Sequence, residues 1–199
     1  MKFIKDNRYI IILILLFLLS IVSYYMNNLT IIDKFIYNNL SFSKNLTSFF
    51  KLITNSGSAI FLIIITLLSF IFLKNKKNSI YIGLNLLLGF TINYTLKMIF
   101  RRGRPIDINL IEVDGYSFPS GHSTVSAIFY GFIIYLIYKS IISRNLKILL
   151  IAFLVILILL IGLSRVYLGA HFASDVITSY ILSLLYLMIF IRLINRVKE

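Results

Sequence analysis

Apolar residues fall in six long stretches, at roughly Tyr9–Met26, Gly57–Leu73, Ser79–Phe100, Ser123–Tyr138, Lys147–Leu163 and Phe172–Leu193. Crossing about 30 Å of hydrocarbon takes about 20 apolar residues as a helix. Each stretch is long enough or nearly so, and the fourth and fifth are expected to extend into their flanks. Between the first two lies Leu29 to Asn55. Here Ile32, Phe35, Ile36, Leu46, Phe49, Phe50 and Ile53 recur at helical spacing, with Asp33, Lys34, Lys44 and Lys51 read as the opposite, polar side. That pattern predicts interfacial helices lying on a bilayer. No repeat or low-complexity linker interrupts the chain, so residues 1–199 read as one domain: all-α, polytopic, with six transmembrane helices.

Composition supports this reading. The chain is 59% hydrophobic with a mean hydropathy of +0.94, against about 45–50% apolar for soluble domains. It has no cysteine, which excludes disulfides and thiolate metal sites. The net charge of +13 would suggest nucleic acid in a soluble protein. Between apolar spans, lysine and arginine are instead topological signals, and no nucleic-acid partner is expected. Lys2, Lys5, Lys198 and nine other cations fall on the side of both termini, against eight on the other side. Both termini are therefore expected in the cytoplasm of a cell that holds this chain in its plasma or inner membrane. The first stretch is read as a retained span, because Tyr9–Met26 is long for a signal sequence and no alanine precedes Ala59. Five of the eight outer cations (Lys97, Arg101, Arg102, Arg104 and Arg165) crowd around one place and need another explanation.

Three short segments on that outer side hold the unusual chemistry: KMIFRRGRP (Lys97–Pro105), PSGH (Pro119–His122) and SRVYLGAHFASD (Ser164–Asp175). They contain both histidines and both prolines of the chain. Cations that repel one another call for an anion, and guanidinium forks match a phosphate bidentately. Ser120 reads as an N-cap, with Gly121 and His122 in a first helical turn whose free N–H groups suit an anion. His171 and Asp175 stand four apart and share a helix face. A carboxylate that fixes the tautomer of one imidazole nitrogen leaves the other free to attack. The plainer alternative pairs Asp175 with Arg165 at a helix start. Small polar stripes (Gly89, Asn93 and Lys97; His122, Ser123, Ser126 and Tyr130; Asp175, Ser179 and Ser183) predict which helix faces meet. Asp107, Glu112 and Asp114 lack a metal-ligand spacing, and no metal or other cofactor is expected.

The three-part pattern Lys-x6-Arg-Pro, Pro-Ser-Gly-His, Ser-Arg-x5-His-x3-Asp resembles the signature of the type 2 phosphatidic acid phosphatase superfamily. Every signature position is filled, by Lys97, Arg104 and Pro105, by Pro119, Ser120, Gly121 and His122, and by Ser164, Arg165, His171 and Asp175. Only Ile106 to Phe118 separate the first two parts, which is similar to the compact bacterial members. The resemblance implies a membrane-embedded lipid phosphate phosphatase acting through a phosphohistidine. In it His171 is the nucleophile, oriented by Asp175, and His122 the general acid. Lys97, Arg104, Arg165, Ser120 and the Gly121 N–H hold the phosphoryl oxygens, without a metal. Implied substrates are undecaprenyl diphosphate, phosphatidylglycerophosphate or phosphatidic acid, and an outward-facing site favours the first. A phosphotransferase with a non-water acceptor is an alternative. An anion or lipid transporter is another, but it gives no reason for the His171–Asp175 spacing.

Overall fold

The computed structural model describes residues 7–26, 29–39, 44–105 and 110–197. Lys2, Lys5, Asp107, Lys198 and the side chains of Ile32 and Lys44 lie outside the described residues. The chain forms helices α1 (Asn7–Tyr25), α2 (Leu29–Asn39), α3 (Thr47–Asn55), α4 (Ala59–Phe72), α5 (Lys76–Phe100), α6 (Gly121–Lys139), α7 (Arg144–Tyr167) and α8 (Ala173–Val197), with a 3-10 turn at Lys44–Leu46. No strand occurs among the described residues. Helices α1, α5, α6, α7 and α8 are each long and apolar enough to cross a bilayer. As expected, α6 and α7 reach beyond their apolar runs, to 19 and 24 residues.

The second span is built differently from its sequence pattern. Helix α4 alone has 14 residues, about 21 Å at 1.5 Å per residue, which falls short of the hydrocarbon thickness. It continues α3 across a 42° bend. The bend falls at Asn55-Ser56-Gly57-Ser58, where the Ser58 hydroxyl caps α4 by accepting from the Phe61 N–H at 3.3 Å. The amphipathic stretch is thus helical, as its spacing predicts, but its two helices have different tasks. Helix α3 packs on α7, and α2 packs on α8. Asp33 corrects the face assignment: it is buried, not on the polar outer side, while Ile31 and Phe35 of α2 are outward and 70% and 69% exposed.

Helix α6 is the centre of the bundle, packed on α5, α7 and α8. Over half of its apolar window (56%) is buried, against 17% for α7. Phe129, Phe132 and Val125 of α6 meet Leu62, Leu86, Ile161 and Phe190 in the main apolar core. Small residues let the helices approach closely, the usual basis of packing where lipid supplies no hydrophobic drive. A Cβ on Gly131 would fall 2.4 Å from Leu187 Cδ1. The polar stripes face inward, as expected. The Ser179 and Ser183 hydroxyls of α8 are shared between carbonyls of their own helix, Asp175 at 2.6 Å and Ser179 at 2.7 Å, and the Ser120 and Thr124 carbonyls at the start of α6, at 3.2 and 3.1 Å. Asn93 of α5 donates to Thr124 Oγ1 at 3.1 Å, and Tyr130 donates to the Ser56 carbonyl at 2.7 Å. Together these bonds fix the ends of α5, α6 and α8 against one another.

Candidate active site

The three polar segments meet at one end of the bundle. Helix α5 ends with Lys97 in its last turn, where a cation suits the helix dipole, and Arg101 stops it in the left-handed conformation at φ 47°. The chain then returns along the start of α8. Arg104 ties the first segment to the third. It donates to the Gly115 and Asp114 carbonyls at 2.9 and 2.8 Å, to the Ala170 carbonyl at 2.7 Å, and lies 3.2 Å from His171 Nε2. Lys97 Nζ donates to the Tyr116 carbonyl.

His171 sits in the loop between α7 and α8, held by its N–H on the Arg165 carbonyl at 3.2 Å. Asp175 occupies the first turn of α8, and its Oδ2 accepts from the Phe172 N–H at 3.0 Å, one half of a capping box. The imidazole Nδ1 lies 3.6 Å from that same oxygen. The Ser117 hydroxyl bridges the pair: it is 3.3 Å from Nδ1 and donates to Asp175 Oδ2. Since a guanidinium can only donate, Nε2 is the acceptor and Nδ1 carries the proton. Burial pushes the His171 imidazole down to about 3, against the raising influence of Asp175, so the ring is neutral.

Helix α6 begins at Gly121, with Ser120 at the N-cap position. Here one expectation needs correction: the Ser120 side chain makes no capping bond. Its Oγ turns to Ser123 Oγ at 2.8 Å instead. A Cβ on Gly121 would lie 3.4 Å from Asn93 Oδ1 and 3.8 Å from Lys97 Cε, which places the helix start in ordinary contact distance of both side chains. His122 packs over the α3–α4 bend, its Cδ2 3.6 Å from where a Gly57 side chain would start. It lies within electrostatic range of His171, Arg165, Lys97 and Arg104.

Arg165 is 3% exposed and donates to Thr54 Oγ1 of α3 at 2.9 Å, while its Nε finds no partner. Among the described residues, Lys97, Arg104 and Arg165 form no ion pair. A bound anion would satisfy both the orphaned guanidinium N–H and the three unneutralised cations.

Two of the five crowded cations do not join this cluster. Arg101 is exposed and donates to the Met98 carbonyl at 3.0 Å. Arg102 is neutralised: it meets Asp175 Oδ1 at 2.5 Å and Asp33 Oδ2 at 2.6 Å. The arginine partner of Asp175 is therefore Arg102 and not Arg165. Ser117, Thr54, Asp33 and Arg102 were not singled out as site residues by the sequence. One signal was available, since Asp33 is the sole acidic residue between Asp6 and Asp107 in a strongly basic chain. An apolar crevice of about 610 Å³ between α6, α7 and α8, lined by Gly131, Tyr135, Val155 and Leu187, holds no charged side chain and is no rival site for phosphate chemistry.

Fold and site together define an all-α, multi-pass membrane protein that carries a histidine–aspartate pair beside a cluster of cations without ion pairs among the described residues. The chain belongs to the PAP2 superfamily, whose model matches residues 78–199. Phosphatidylglycerophosphatase B of Bacillus subtilis (strain 168) is 40% identical over 109 residues, which is 52% of this chain and 53% of that protein. The match thus spans about half the length of that curated relative. The crystal structure of a transmembrane PAP2-type phosphatidylglycerolphosphate phosphatase from Bacillus subtilis superposes with a TM-score of 0.85 at 26% identity, over 94% of this chain and 96% of that one. LpxE of Aquifex aeolicus shares the fold, with a TM-score of 0.65 at 24% identity over 81% of this chain and 93% of that one.

Proposed function

We propose that the protein is a lipid phosphate phosphatase that works through a phosphohistidine on His171. The observation that carries this reading is the setting of His171, with Nδ1 facing Asp175 and Ser117 and Nε2 turned toward the Arg104 end of the cation cluster. In this reading the phosphoryl oxygens displace Arg104 from Nε2 and take its N–H groups for themselves. Lys97, Arg165, Ser120 and the Gly121 N–H complete the cradle. Nε2 then attacks phosphorus in line with the leaving oxygen, which His122 protonates. Water, activated by His122, attacks the phosphohistidine and restores the enzyme. Phosphoryl transfer asks a protein mainly for positioning and charge stabilisation, and three cations around one imidazole supply both.

The relative's name makes phosphatidylglycerophosphate the first substrate to test. The sequence argument for undecaprenyl diphosphate rests on an outward-facing site with both termini cytoplasmic, and phosphatidic acid completes the set. The deciding experiment measures phosphate release from these three lipids by the purified protein in detergent, for wild type, His171→Ala and His122→Ala. The expected result is turnover of at least one lipid by wild type and none by His171→Ala. Near-normal turnover by His171→Ala would overturn the mechanism. Phosphorylated product appearing only when a sugar or lipid acceptor is added would reassign the protein as a phosphotransferase.

A further inference from the structure

We infer that Arg102 and Asp33 form a positioning pair that holds the catalytic carboxylate, Asp175, from outside the phosphate site. Although Arg102 lies only two residues before Arg104, its guanidinium points the other way. Nη1 meets Asp175 Oδ1 at 2.5 Å and Ser174 Oγ at 2.8 Å, and Nη2 meets Asp33 Oδ2 at 2.6 Å. The Phe172 ring covers the guanidinium, 4.3 Å from its carbon. Arg102 thereby occupies one oxygen of Asp175 and leaves the other to Ser117, Phe172 N–H and His171. A planar fork can fix a carboxylate in this way, and the rotation of Asp175 is removed as a result.

Asp33 completes the arrangement from α2. Its Oδ1 accepts from the Ser174 N–H at 3.0 Å and its Oδ2 from the Ser174 hydroxyl at 2.7 Å. It therefore caps the first turn of α8, the turn that carries Asp175, with a side chain from another helix. Both carboxylates are almost completely buried, Asp33 at 3% and Asp175 at 0%, and among the described residues Arg102 is the one cation bonded to both. A buried carboxylate pair without that cation would repel and shift. Because Arg102 is already paired with two anions, it is not a further phosphate ligand.

The inference rests on His171 as the attacking group, and its test is chosen to fail separately. Steady-state kinetics on the best lipid are compared for wild type, Arg102→Ala, Arg102→Lys, Asp33→Asn and the double variant Asp33→Asn/Arg102→Ala, alongside His171→Ala. Inhibition by inorganic phosphate reports on the cradle. Arg102→Ala is expected to lower kcat about 10- to 100-fold, the rate equivalent of one charge-assisted hydrogen bond, with KM and phosphate inhibition near wild type. Arg102→Lys should recover part of that loss. The double variant should lose no more than Arg102→Ala alone, because the two residues act as a unit. Wild-type kcat in folded Arg102→Ala, or a loss confined to KM and phosphate inhibition, would overturn the inference. So would multiplicative losses in the double variant. Should Arg102→Ala not fold, judged by elution and thermal unfolding in detergent, wild-type kcat in both Arg102→Lys and Asp33→Asn would overturn it equally. An active His171→Ala would remove the underlying reading, whereas an inactive His171→Ala beside a fully active Arg102→Ala would remove only this inference.

Discussion

Replacing Arg165 by methionine should make the ligand-free protein more stable while it destroys function. Arg165 is 3% exposed, has no ion pair among the described residues, and leaves its Nε unbonded. An unsatisfied buried donor costs about 1–3 kcal/mol, and a buried charge without a counter-ion costs several kcal/mol more. Arg104 adds repulsion. Against this, methionine gives up the bond to Thr54, worth about 1.5–3 kcal/mol for a charged donor. Methionine fills much the same volume, so no large cavity term enters. The balance favours Arg165→Met by about 1–3 kcal/mol, and for a chain of this size each kcal/mol moves Tm by about 2–4 °C. The assay is thermal unfolding in detergent, with and without inorganic phosphate. Wild type should gain about 2.7 kcal/mol when phosphate reaches about 100 times its Kd. Arg165→Met should start higher and gain little, with turnover lowered by about 10²–10³. A ligand-free Tm below wild type, together with an undiminished phosphate shift, would refute the idea that Arg165 waits for an anion.

The other predictions concern the histidines and two closely packed glycines. With chemistry rate-limiting, kcat/KM should be bell-shaped in pH, since His171 must be neutral and His122 protonated. Because burial depresses His171 to about 3, its neutral form persists well below the usual imidazole range, and the acid limb should fall below pH 6.5. An acid limb at or above 6.5 that shifts with substitutions around His171 would contradict this. The same depression means that the folded state binds fewer protons than the unfolded one. The His171 contribution to stability is therefore full above about pH 6.5 and is lost as pH falls toward the depressed value, which acid titration of wild type against His171→Ala would check. Gly57→Val should cost about 1–3 kcal/mol and slow turnover, because its Cβ would sit 2.8 Å from Ile161 Cγ2 and beside His122; wild-type melting and rate would count against that packing. Gly162→Ala should destabilise by at least as much, since its Cβ would fall 1.9 Å from Tyr180 Oη, and Tyr180→Phe should relieve part of the loss in melting experiments.

Much of this site was legible because its chemistry is packed into short segments. Lys97, Arg104, His122, Arg165, His171 and Asp175 stand out as polar residues at the ends of apolar runs, and their spacing within each segment places them on helix ends. The stripes through Asn93 and Ser179 were legible for the same reason, since a polar group in a lipid-facing position has no partner. What the sequence hides is pairing across distance. Arg165 finds Thr54 and Arg102 finds Asp33 only after α3 and α2 pack on α7 and α8. Hydropathy put Asp33 with the lysines on a wet face, because an unpaired carboxylate belongs there; the buried guanidinium reverses the preference. The broken second span was missed for a related reason. Gly57 counts as one position in an apolar run, whereas its role is to let the chain bend against Ile161 and His122.

The proposed chemistry begins with transfer of the phosphoryl group to His171. Its most direct measurement is rapid-quench labelling with a lipid carrying radioactive phosphate, followed by mapping of acid-labile, base-stable phosphoprotein. Label is expected on His171 in wild type, with its discharge as free phosphate, and none on His171→Ala. Label on any other residue, or undiminished turnover without His171, would contradict that chemistry.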